Sequence, residues 1–183
     1  MKKNIFLTAA LLMGLSFASV MLTSCDKEDN KASETPKKDT TPASVQMNFT
    51  FEATQDMLDY CDMVVKYDDG TGMKTETANA LEWTKSLKVS LPATLTFIRE
   101  VSLKSGVEAS DIASFSYLKG YRYGYVMMNA QGEQLGSLGS RSNISRHNVT
   151  RPEGIPTVIE MINAGRLNDS VTYSFDKNGS LVD

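Results

Sequence analysis

From Val45 onward the chain alternates between large apolar and polar residues. Val45, Met47, Phe49 and Phe51 are separated by Gln46, Asn48, Thr50 and Glu52, a period of two that places four large side chains on one face of a strand. Cys61, Met63, Val65 and Tyr67 repeat the pattern and predict a second strand over 61–67. Asp68-Asp69-Gly70-Thr71-Gly72 supplies residues that tolerate positive φ, so a tight turn and a return strand over 73–77 are expected. Trp83, Leu87, Val89 and Leu91 share one parity, as do Leu95, Phe97, Val101 and Leu103, and Pro92 interrupts the run between the two sets. The stretch 115–128 reads as the longest strand, Asn129-Ala130-Gln131-Gly132 as a turn, and 134–145 as its return. Residues 171–175 resume the alternation before a second hairpin-like turn, Asp176-Lys177-Asn178-Gly179.

One segment departs from this period. Ile155, Val158, Ile159 and Ile162 fall at helical spacing, with Pro156 suited to a first turn and Gly165 to a C-terminal cap. That predicts a short amphipathic helix, although the β-branched residues of 157–162 leave a strand as the alternative. Many short strands with one helix near the C-terminus predict an all-β fold, an antiparallel immunoglobulin-like β-sandwich. The Cys…Trp…Cys pattern of antibody domains is missing, so the likeness is one of layers.

The first residues have a different composition. Met1-Lys2-Lys3-Asn4 is positive, and 5–22 is dominated by Leu, Ala, Phe, Met and Val, the layout of a secretory signal. Leu22-Thr23-Ser24-Cys25 resembles the bacterial lipobox. The resemblance implies cleavage after residue 24, acylation of Cys25 through its thiolate, and a membrane partner reached through several N-terminal acyl chains. Lys27-Glu28-Asp29 resembles the export signal of surface lipoproteins of the Bacteroidota. It implies an outer-membrane lipoprotein facing the cell exterior, with the periplasmic face as the alternative. Residues 25–44 lack large apolar side chains, and Pro36 and Pro42 stiffen them, so they are expected to form a tether. Asp39-Thr40-Thr41 and Asp169-Ser170-Val171 resemble O-glycosylation sites of the same bacteria, making Thr40 and Ser170 candidate acceptors.

The remaining stretch, 45–183, has the size of one domain. It holds 13 Lys and Arg against 17 Asp and Glu, a balance with no broad attraction for nucleic acid. With Cys25 acylated, Cys61 has no disulfide partner and reads as a core thiol.

Little in this stretch points to catalysis. His147 is the only histidine, which rules out sites built on several histidines and leaves any Ser-His-Asp arrangement dependent on it. It lies in a polar stretch and reads as a solvated side chain. No Gly-rich turn opens a helix as phosphate cradles require. Asp56, Asp59 and Asp62 recur every three residues and are the candidate calcium ligands, without the order of an EF-hand. No catalytic residue, cofactor or other metal site is indicated. Tyr117, Tyr121, Tyr123 and Tyr125 share one parity in the predicted strand 115–128. Either they form a core row, each hydroxyl then needing a partner, or they are a ligand platform for sugar rings. The expectation is a surface-anchored protein of non-catalytic binding or assembly role, with a glycan or a protein as partner. A fimbrial subunit and a small glycan- or peptide-acting hydrolase are the alternatives.

Overall fold

The computed structural model describes residues 38–182. The signal, Cys25 and the Lys27-Glu28-Asp29 motif lie outside the described residues. The strands are β1 (Ser44–Glu52), β2 (Cys61–Asp68), β3 (Met73–Thr77), β4 (Glu82–Ser90), β5 (Ala93–Leu103), β6 (Phe115–Lys119), β7 (Arg122–Met128), β8 (Gln134–Ser142), β9 (Ser145–Val149), β10 (Asp169–Phe175) and β11 (Leu181–Val182). Among the described residues two α-helices, α1 (Gln55–Tyr60) and α2 (Ile155–Asn163), and two short 3-10 turns, Ala109–Asp111 and Pro152–Gly154, complete the order. One sheet runs β4-β1-β7-β8 and the other β11-β10-β5-β2-β3, with a two-stranded ladder β6-β9 beside them. Every pairing is antiparallel. The fold is the expected β-sandwich.

The alternation sets the core. Val45, Met47, Phe49 and Phe51 of β1 are buried, and so are Leu95, Phe97 and Val101 of β5 and Met63, Val65 and Tyr67 of β2. Phe49 and Phe97 stack 4.0 Å apart and join the two sheets at the centre. Helix α2 buries Ile155, Val158 and Ile162, as its spacing predicts. It stops where Gly165 takes φ of 67°, so that Arg166 N donates to Met161 O and Gly165 N to Ile162 O, the closing bonds of a Schellman end.

Three features differ from the sequence reading. The expected strand 115–128 is two strands, because Gly120 takes φ of 93° and turns the chain between β6 and β7. A Cβ there would lie 2.5 Å from Asn143 O, so only glycine fits this bend. The opposing strand bends at the same level. Asn143 N donates to Tyr121 O, and Tyr121 N to Asn143 Oδ1, between β8 and β9. Helix α1 was not anticipated; six residues are too few to show a period. It is set by Thr54, whose Oγ1 accepts from Met57 N at 3.1 Å and donates to Ser116 O. Lastly, part of the expected tether is held against the sandwich: Ala43 N donates to Met128 O and Asn129 Nδ2 to Asp39 O.

Candidate functional site

The bend at Gly120 redistributes the tyrosine row. Tyr117 stays with β6, buried, its ring 4.8 Å from that of His147 and nearly parallel to it. It therefore does not share a surface with the other three. Tyr121, Tyr123 and Tyr125 face the second sheet. Tyr121 stacks on Phe49 at 5.1 Å, Tyr123 lies 4.5 Å from Tyr173 of β10, and Tyr125 meets Phe175 edge-on at 5.2 Å. Tyr123 and Tyr173 are buried, whereas Tyr121 and Tyr125 are half-buried. The row is thus largely core, and its margin is wet.

That margin is a groove of about 580 Å³ between the β7–β8 side of one sheet and β10–β11 of the other. A second hollow of about 410 Å³ continues it, sharing Tyr123, Arg141 and Leu181. Arg141 pairs across the ladder with Tyr123, so the two side chains rise from the same face. Gly139 sits opposite Tyr125, where a Cβ would come within 3.1 Å of the ring; the missing side chain leaves room for the aromatic. Asn143 is positioned by its two bonds to the Tyr121 backbone. Burial first, then the neighbouring Tyr121 hydroxyl, holds the Tyr173 phenol well above its usual range. It remains a protonated donor at any physiological pH. Arg141 is the one charged side chain among the described residues lining the groove.

The other nominated residues are scattered. Asp56, Asp59 and Asp62 do not converge, because α1 ends at Tyr60 and the helical spacing fails between Asp59 and Asp62. Asp56 Oδ2 accepts from Ser116 N and Asp59 Oδ1 from Gln55 Nε2, while Asp62 is exposed on β2. Among the described residues no group of three His, Cys, Asp or Glu could hold a metal ion. This corrects the calcium reading. Cys61 is buried in the core, where desolvation pushes its thiol up to about 12. His147 is exposed, with Ser145 Oγ 3.1 Å from its Nε2. Thr40 and Ser170 are both exposed, but the Asp169 of the second motif is engaged inward.

That engagement is what sequence reading missed. Arg99 follows the parity of Leu95, Phe97 and Val101 and is 1% exposed. Its guanidinium donates to Glu52 O at 2.7 Å, to Leu118 O at 2.9 Å and to the Asp169 carboxylate, and lies over the Phe51 ring. Asp169 also accepts from Gly120 N at 3.0 Å. The visible signal was a charge inside an apolar alternation. The buried pair fixes β10 to the bend that frames the groove.

Among the described residues, no helix is long and apolar enough to cross a membrane. No protein-family model, curated protein or solved structure matches this chain.

Proposed function

We propose that the chain is a non-catalytic, lipid-anchored binding protein on the surface of a Bacteroidota-type cell, which presents the tyrosine-lined groove to its ligand. The observation that carries the binding role is the groove itself: a concave opening between the sheets, lined by tyrosines, one arginine and small polar residues. Sites for small ligands have this character, a largely preformed cleft with a few placed polar groups. Hydrolysis would need paired carboxylates or a nucleophile beside a histidine, and the described residues lining the groove supply neither. The anchor rests on the order of residues ending at Cys25.

The role is tested on intact cells carrying the full chain or its Leu181→Trp variant, which fills the groove from an exposed position on the face shared with Phe175. Cells carrying the native chain should bind members of a panel of glycans and peptides, and the variant should bind none. Equal binding by both, or none by either, removes the groove as the site. Cys25→Ser should abolish incorporation of a fatty-acid label, and protease added to intact cells should digest the native protein. Persistence of the label, or protection from protease, overturns the anchor or its outward orientation. A fimbrial role is the second reading, favoured by one observation: β8 ends its sheet with a free edge onto which another chain could add a strand. Filaments that vanish from the cell surface when the protein is removed would establish it.

A further inference from the structure

Charge is unevenly distributed along the chain. Between residues 112 and 152 the chain carries Lys119, Arg122, Arg141, Arg146 and Arg151 against a single acid, Glu133. The rest of 45–183 holds eight Lys and Arg against sixteen Asp and Glu. Of the five cations, Arg122 is paired with Glu52 and Glu82; the other four make no ion pair among the described residues. A positive hairpin on a negative protein is a local attractor for anions. The groove opens on this hairpin.

Among the described residues its lining carries one cation, neutral hydroxyl and amide groups, and no anion. Arg141 offers a fork that matches a carboxylate or sulfate in two places. Tyr121, Tyr123 and Tyr173 bring phenol groups to the same opening, and among the described residues no carboxylate lines it. Asn143 spends its Oδ1 on Tyr121 N, which leaves its Nδ2 as one more donor. The half-buried Tyr121 ring is an apolar surface beside these polar groups, the combination that suits a sugar carrying a charge.

We propose that the groove binds an acidic saccharide, its carboxylate or sulfate held by Arg141 and its hydroxyls read by Tyr121, Tyr173 and Asn143. This rests on the binding role assigned above and adds the class of ligand. The test uses the full-length lipoprotein in detergent on immobilised oligosaccharides. One arm carries uronic acids (oligogalacturonate), a second carries sulfate esters (a sulfated glycosaminoglycan), and a third is neutral (mannan and xylan). Binding should appear in an acidic arm and weaken as salt rises. Arg141→Ala should weaken it by about tenfold or more, with Arg141→Lys intermediate. Arg146→Ala, outside the groove, should weaken it far less.

Which acidic arm responds identifies the anion. Binding to the neutral arm alone, or acidic binding indifferent to Arg141→Ala, overturns the proposal while leaving the groove as a binding site. No binding in any arm also overturns it, and peptide binding abolished by Leu181→Trp would then preserve the wider reading. Arg141 could instead guard an edge strand against pairing with other chains. In that case Arg141→Ala aggregates while sugar binding by the remaining monomer is unchanged, which also overturns the proposal.

Discussion

The sandwich has two long margins, and the same residue type is used differently in each. At the β3–β4 margin, Glu76 of β3 accepts from Tyr67 Oη at 2.6 Å, Trp83 Nε1 at 3.0 Å and Lys85 Nζ at 2.6 Å. The Lys85 ammonium also lies 4.7 Å from the centre of the Tyr67 ring. One carboxylate from one sheet gathers the donors of both, so that margin is drawn together. At the other margin, Tyr121, Tyr123, Tyr173 and Arg141 are again donors, but among the described residues no carboxylate lines the opening. A margin with its own acceptor closes, and a margin of donors without one stays open to an external acceptor.

The largest expected effect comes from the buried pair beneath the open margin. Asp169→Ala leaves the Arg99 guanidinium buried without its counter-charge and removes the partner of Gly120 N. Breaking a buried pair from one side costs about 3–5 kcal/mol. Denaturant unfolding should report a loss of this order, and a loss below about 1 kcal/mol would mean that the pair does not frame the groove. Tyr123→Ala follows closely. Its ring is buried against Tyr173, so a loss of about 3 kcal/mol is expected, whereas Tyr121→Phe keeps the ring and should cost under about 1 kcal/mol. A loss well above about 1 kcal/mol for Tyr121→Phe would mean that its hydroxyl is buried and bonded, and that the row has no wet margin there.

The sequence showed the open margin only in part. Parity correctly put Tyr121, Tyr123 and Tyr125 on one side, the same alternation marked β1 and β2 nearly to the residue and all of β10 but its first two residues, and the Asp-Gly turn placed β3. Tyr117 was assigned to the same face because parity assumes an unbroken strand. Gly120 alone does not announce a bend; the reason for it is Asn143, more than twenty residues away, whose approach excludes a Cβ. Long-range contacts of this kind leave no local period. The acid triad failed through a change of period, since Asp56 and Asp59 count along a helix while Asp62 stands on a strand. Arg99 was legible as an anomaly, a charge at a core parity, but its partner Asp169 lies seventy positions on and could not be named from spacing. Asp169 carries a different signal in the sequence, the short motif that includes Ser170.

A smaller effect separates the margins by pH. Hydrogen bonds from Lys85 first, and then from Tyr67, hold the Glu76 carboxyl below its ordinary range. A lowered folded-state pKa contributes stability above the unfolded value, near 4.3, and that contribution is lost as pH falls through the lower folded value. Glu76 is partly exposed, so screening keeps the effect to about 1 kcal/mol or less. Between pH 7 and pH 3 the difference in melting temperature between the native chain and Glu76→Gln should shrink towards zero. A difference independent of pH would mean that charge is not what closes the margin.

The smallest expected effect is the sharpest test of the comparison, because it sets one cation from each margin against the other. Lys85 is paired, its Nζ 2.6 Å from Glu76 Oε1, and Lys85→Ala should cost about 0.5–1 kcal/mol, diminishing in high salt as exposed ion pairs do. Arg141 has no carboxylate among the described residues, and it stands in a positive neighbourhood. Removing it therefore breaks no attraction and relieves some repulsion. Arg141→Ala should leave stability within about 0.5 kcal/mol of the native chain, with any change being a small gain at low salt. Unfolding of both variants at low and high salt would measure this. A clear loss for Arg141→Ala that salt abolishes would show that Arg141 already has an internal anion, and the open margin would then be closed by the same device as the other.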